Sequence, residues 1–240
     1  MPTWTHSPGD RARINSASQK FASTWLQSTA SNTKLDNQHF AKALQLRLGT
    51  PGEHDSDPAA ALSDPSIASK LKDRRHHSLA KVLTTWALRA GAERAETEPG
   101  DLWPDDNLTP DADIILGDKR LLVDVSVIHP TAPSYVVEAR NPLGGSAHMV
   151  LTKEEKYAEM AAFVNAEVIP AVLETYGALS DSLIGLFKDI ASYASTNPYL
   201  AWTPRETYRG LILDTSLTLQ LWNAKIIMEG DRNYKDQSCA

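Results

Sequence analysis

Apolar residues recur along this chain with two periods, and the changes between them mark out the elements. Ser18–Trp25 and Asn37–Leu48 carry apolar positions at helical spacing, so two short helices are expected there. Asp36 caps the second and Gly49 stops it. Residues 49–66, rich in Gly, Pro, Ser, Asp and Ala, read as a loop or linker. Leu79, Val82, Leu83, Trp86 and Ala90 then fall on one helical face, which predicts a helix over about 70–90 closed by Gly91.

A period of two follows. A first strand is expected over 92–98, then a loop over 99–109. Ala112, Ile114 and Leu116 alternate with Asp111, Asp113 and Ile115. The turn Gly117-Asp118-Lys119 predicts a hairpin into a second alternating run. There Leu121, Val123, Val125 and Val127 share one face, and Leu122, Asp124, Ser126 and Ile128 the other. Pro130 ends the strand, and 130–150 reads as a long loop. Thr152 and Glu155 form a capping-box pattern, predicting a helix from Lys153 to about Asn165. Glu167–Thr175 reads as a buried strand broken or edged by Pro170. Two long helices, about 179–195 and 205–228, close the pattern.

The order is helix, three strands, helix, strand and two helices: an α/β class with an αβββαβ core. The expected organisation is a helical extension over 1–66, the α/β domain over 67–230 and a tail over 231–240.

Composition narrows the class. The 240 residues are 42% apolar, too apolar for wholesale disorder and too many for a disulfide-stapled mini-protein. Lys and Arg number 24 against 30 Asp and Glu, a formal net charge of −6, which argues against attachment to nucleic acid by bulk charge. The single cysteine, Cys239, allows no internal disulfide and no Cys-based zinc site. The N-terminus shows no signal pattern, and no apolar run approaches the ~18–20 residues of a membrane span. An intracellular protein with no membrane partner is expected.

Asp124 carries the most chemical information. A carboxylate in the middle of a Leu/Val strand needs a partner or a metal. Asp111 opens the preceding strand, and the tight turn brings the two acids near each other. Two carboxylates converging from neighbouring strands form a hard-oxygen site for Mg²⁺, able to activate water for attack on phosphorus. The simpler readings are a turn residue for Asp111 and an ion pair with a nearby Arg or Lys for Asp124. Lys153, Lys156 and Tyr157 share one face of the next helix and are either aimed at the carboxylates or part of a solvated surface. The cluster from Lys70 to His77 is basic, and Arg75 and His76 are candidates for holding phosphate or for a structural role. Six acids (Asp101, Asp105, Asp106, Asp111, Asp113 and Asp118) crowd the same neighbourhood.

Pro110-Asp111, with Asp124 thirteen residues on, resembles the PD-(D/E)XK nuclease signature, and the αβββαβ order is similar to that fold's core. The usual Lys two residues after the second acid is replaced by Ser126. This departure resembles the restriction-like endonuclease domain of site-specific non-LTR retrotransposons, whose catalytic lysine lies in a Lys-x-x-Lys-Tyr motif on the following helix. Lys153-Glu154-Glu155-Lys156-Tyr157 is similar to that motif, and Arg75-His76-His77 to an upstream Arg/Lys-His-Asn motif. The stretch Leu122–Ala132 and the segments Ser18–Leu26 and Phe40–Leu48 resemble the corresponding regions of reverse-transcriptase polyproteins.

The resemblance implies a PD-(D/E)XK nuclease-like core over 67–230 with an N-terminal helical extension and C-terminal helices. It implies an endonuclease that nicks double-stranded DNA so that the 3′-OH primes an attached or associated reverse transcriptase. Asp111, Asp124 and the Val125 carbonyl would hold Mg²⁺, with Mn²⁺ able to substitute. Lys153 or Lys156 would be catalytic, and Tyr157 would support the site. Arg75 and His76 would contact DNA phosphate or brace the site. Glu96 or Glu98 is a further candidate acid, and Asp113 the fallback ligand. The family's Cys-Cys-His-Cys zinc knuckle has no counterpart in 49–74, which holds no Cys and a single His, His54; no zinc is expected. The implied location is nuclear or at least intracellular. The rival reading is a catalytically weak or inactive nuclease-fold module that binds nucleic acid or a partner domain. A small-molecule phosphoesterase is a third, and no Gly-rich phosphate loop supports it.

Overall fold

A computed structural model describes residues 7–27, 35–50, 57–64, 66–100, 102, 108–196 and 202–238. In chain order its elements are α1 (Pro8–Ala17), α2 (Asn37–Leu48), α3 (Pro58–Ser63), α4 (Ser69–Arg89), β1 (Arg94–Thr97), β2 (Ala112–Leu116), β3 (Lys119–Ile128), α5 (Gly144–Val164), β4 (Glu167–Glu174), α6 (Asp181–Ala194) and α7 (Pro204–Ser238). The protein is mixed α/β. His54, Asp101, Asp105, Asp106 and Cys239, singled out in the sequence, lie outside the described residues.

The four strands form one sheet in the order β1-β2-β3-β4. β1, β2 and β3 are antiparallel, and β4 runs parallel to β3 after the α5 crossover. The two-residue turn Gly117-Asp118 sets Leu116 opposite Lys119, and this register carries through to Ala112 opposite Val123. A one-residue slip would send every side chain to the wrong face, so the turn determines which residues meet at the far end of the hairpin.

The alternation separates two packing surfaces. Ile114, Leu121, Val123, Val125 and Leu173 face a large core shared with Leu79 and Leu83 of α4, Leu183 and Phe187 of α6, and Leu211 of α7. Leu122, on the opposite face, packs against Tyr157, Met160 and Ala161 of α5. The sheet thus lies between helical layers. Pro170 does not break β4. It pairs opposite Asp124 on an edge strand, where a missing N–H is tolerated. The N-terminal helices α2 and α3 pack on α7 through Leu46, Ala61 and Leu62 against Ile226 and Ile227.

The structure departs from the sequence expectations at several boundaries. The first helix is Pro8–Ala17, not Ser18–Trp25. Ser7 caps it by accepting from the Asp10 N–H, and Pro8 occupies the first turn. Residues 18–23 form turns, and Thr24–Gln27 a 3-10 helix that buries Trp25. Within the expected linker, Asp57 caps the short helix α3, again with Pro at its start. Thr152 is not a cap, because α5 begins eight residues earlier and the Thr152 hydroxyl donates to the His148 carbonyl. Gly144, which reads as a loop residue, instead permits a close approach: a Cβ there would lie 2.1 Å from the Glu138 carbonyl oxygen. The last helix continues through the expected tail to Ser238.

Gly177, after β4, has φ +105°, and a Cβ there would lie 2.6 Å from the Ala22 carbonyl oxygen. Gly177→Ala is therefore expected to combine left-handed strain with a backbone clash and to lower stability by about 2–3 kcal/mol. The urea midpoint of the variant against the parent checks this; an unchanged midpoint would mean the N-terminal segment is not held against the strand end.

Candidate active site

Continuing the β2–β3 register one step past Ala112 and Val123 brings Asp111 opposite Asp124. Alternation puts both acids on the sheet face covered by α5. Like charges in cross-strand opposition repel, and each carboxylate is surrounded by donors. Asp124, buried, receives Lys153 Nζ at 2.8 Å on Oδ2. The Ser126 hydroxyl lies 3.4 Å from the same oxygen. Asp111 Oδ2 accepts from the Val125 N–H at 2.5 Å, and Oδ1 accepts from His76 Nε2 at 2.6 Å. The N–H and C=O of a strand residue point to the same side, so the Val125 carbonyl also faces Asp111.

The two lysines, left as alternatives by the motif, diverge. Lys153 pairs with Asp124, whereas Lys156 lies over the Tyr157 ring, 4.6 Å from its centroid, and donates to the phenol oxygen at 3.0 Å. Tyr157 in turn donates to the Thr109 carbonyl at 3.1 Å, holding the segment that leads into Asp111. Burial, then the neighbouring Asp124 and Asp111, push the phenol pKa well above its ordinary value, so it remains a protonated donor.

Other candidates take different places. Asp113 is fully buried and bound bidentately by Arg120, at 3.0 and 2.9 Å, with Arg94 at 3.5 Å. These pairs leave it a structural anion rather than a fallback ligand. Glu96 pairs with Arg94 at the surface. Glu98 pairs with His77 at 2.5 Å and lines, with His76 and Asp111, a cleft of about 210 Å³.

Arg75 is only 6% exposed and donates to Asn223 Oδ1 at 2.7 Å. Of its two expected roles the geometry corrects the first: the guanidinium points inward, away from any DNA phosphate, and braces α4 against α7. Its phase explains this, because residues 75, 79 and 83 share the buried face of α4. His76, the next residue, is half-exposed and bonds Asp111. Burial lowers the Arg75 pKa to about 10.

Arg75 belongs to a polar network absent from the sequence reading. Asn223 and Gln220 donate to the Thr175 carbonyl at 2.9 and 3.2 Å. His129 ring nitrogens lie 2.6 Å from the hydroxyls of Thr175 and Thr131. Ser146 of α5 donates to buried Glu174 at 2.8 Å. The signal available was a run of polar residues, His129 and Glu174-Thr175, at the ends of two apolar parallel strands.

Among the described residues no group of three or more His, Cys, Asp or Glu side chains forms a metal cage. Two carboxylates and a main-chain carbonyl nonetheless suit Mg²⁺, which keeps several waters and is commonly held by one or two carboxylates plus substrate phosphate. Compared with known proteins, the chain matches no protein-family model and no curated protein. No helix among the described residues is long and apolar enough to cross a membrane.

Burial, then the charges of Arg75 and Lys72, lower the His129 pKa from 6.5 to about 3. Between those values the unfolded chain takes up a proton that the folded chain refuses. Stability is therefore expected to fall as pH drops below about 6.5, with His129 contributing up to about 1.4 kcal/mol per pH unit. Urea denaturation at successive pH values, compared with His129→Gln, checks this: the variant should show the shallower loss.

Proposed function

We propose that this protein is a metal-dependent DNA endonuclease of the PD-(D/E)XK type that its motifs resemble, nicking double-stranded DNA. The observation that carries this reading is the Asp111–Asp124 opposition, with Lys153 bound to Asp124 from the following helix. The sheet order and the α4-β1-β2-β3-α5-β4 succession support it.

Asp111, Asp124 and the Val125 carbonyl would hold Mg²⁺ or Mn²⁺; when bound, the ion supplies a Lewis acid for the phosphoryl oxygen and lowers the pKa of its water. Lys153, 2.8 Å from Asp124, orients the attacking water and neutralises charge developing on the phosphate. The water oxygen bonds to phosphorus and gives up a proton to solvent, the P–O3′ bond breaks with its electron pair on O3′, and that oxygen takes a proton from solvent and leaves as a hydroxyl. His76 and the Val125 N–H fix the Asp111 carboxylate. Tyr157, with Lys156 on its ring, holds the Thr109 segment in place. The 3′-OH so made is the primer that an associated reverse transcriptase would extend, which would place the work in the nucleus.

Ser126, standing where such strands usually carry Lys, and the two-carboxylate donor set favour one rival, a nuclease-fold module that binds without cutting. Supercoiled plasmid incubated with Mg²⁺ or Mn²⁺ separates the two. Nicking is expected, abolished by EDTA and reduced about 10²–10³-fold in Asp124→Ala and Lys153→Ala. Lys156→Ala should retain most activity. Nicking that persists unchanged in Asp124→Ala would overturn the site assignment; no nicking and no metal binding by calorimetry, with DNA still bound, would establish the rival.

A further inference from the structure

A second cleft of about 310 Å³ opens between α4 and α7. Trp86 and Trp222 line it, with Lys81 and Arg89 at its edge. The Arg89 guanidinium lies 5.0 Å from the Trp86 ring centroid, and Lys225 Nζ lies 4.3 Å from that of Trp222. Trp202, 45% exposed, meets Trp86 edge to face at 5.7 Å. The one acid lining the cleft, Asp214, accepts from the Trp86 indole N–H at 2.9 Å. Trp86 is buried, so Trp222, half-buried, is the ring open to a ligand. With Arg89 and Lys225 over the two indole faces, Lys81 at the cleft edge and, among the described residues, the lining carboxylate tied to a ring nitrogen, the cleft is complementary to a base with its phosphates.

Two observations select the occupant. The cleft is at the lower end of small-ligand pocket sizes: it admits one planar ring system and is too small to seat a helix. Lys81 also lines the cleft that holds His76 and Asp111, so the two depressions meet at one cation. We propose that the α4–α7 cleft binds single-stranded nucleic acid. One unpaired base stacks on Trp222, and flanking phosphates lie on Lys81, Arg89 and Lys225. That this strand leads to the carboxylates rests on the nuclease reading; the binding itself does not. With a net charge of −6, counterion release is limited to these few contacts, and stacking supplies the remaining affinity.

The test is anisotropy of fluorescein-labelled oligothymidylate with the full chain in EDTA, where hydrolysis plays no part. Binding is expected with a log–log salt slope of about −2, the value for three phosphates on a single strand. Trp222→Ala should weaken it about tenfold, and Trp222→Phe should restore most of the loss. Lys81→Glu, at an exposed position, should weaken binding without the folding risk of a tryptophan deletion. Blunt duplex of the same length should compete poorly. Affinity indifferent to both Trp222→Ala and Lys81→Glu, or equal competition by duplex, would overturn the proposal. Plasmid nicking is scored separately. Oligothymidylate binding that depends on Trp222, in a chain that never nicks, upholds the cleft and sinks the nuclease reading. Nicking that depends on Asp124, with binding indifferent to Trp222, does the reverse.

Discussion

Two carboxylates facing each other across the end of a β-hairpin are a liability unless hydrogen-bond donors and ion pairs compensate them, and much of the architecture around Asp111 and Asp124 provides that compensation. The hairpin register makes the opposition unavoidable. Lys153 reaches Asp124 from α5, His76 reaches Asp111 from α4, and the Val125 amide reaches Asp111 from the strand itself. Three elements thus converge on one pair of charges. In a partly buried site, where fields are screened less than in bulk water, that convergence holds the helices as well as the acids.

The same economy explains why Asp113 is not part of the site, although it shares a face with Asp111. It lies diagonally across the hairpin from Arg120, within reach of a long side chain, and the bidentate pair saturates both its oxygens. Asp111, one step beyond the paired ladder, has only single donors on each oxygen. Local satisfaction, not strand face, separates Asp113 from Asp111. The net charge of −6 therefore says little about the site, where acids and bases are matched almost atom by atom.

Much of this was legible in the sequence. The alternation from Asp111 to Ile128 assigns the two strands and their faces, but it leaves the register open by two residues, with Asp113 as the fallback; the two-residue turn Gly117-Asp118 is what fixes it. The choice between Lys153 and Lys156 was not legible: the two share one helical face in the sequence pattern, and only the structure sends Lys153 to Asp124 and leaves Lys156, exposed, on the Tyr157 ring. The start of α5 was hidden for a different reason. Gly144 and Gly145 look like loop formers, yet contact with the Glu138 backbone makes glycine necessary at Gly144. The burial of Arg75 was legible and went unread: stepping back four residues from Leu79 places it on the core face. The Thr175–Asn223 network was not, since it joins residues far apart in sequence through main-chain carbonyls.

Helix α4 connects these observations. Successive residues are turned by about 100°, so Arg75 points into the protein while His76 points at Asp111, and Lys81 emerges where the two clefts meet. Burying a guanidinium against the neutral Asn223 amide is an expensive way to join two helices, since apolar packing would do so without desolvating a charge. What the polar contact adds is direction: the Arg75–Asn223–Thr175 chain fixes the height of α4 against α7 and against the end of β4. A sliding apolar face would tolerate a small axial shift. The 2.6 Å contact from His76 to Asp111 would not, so the buried arginine and the half-buried histidine beside it are two ends of one positioning device.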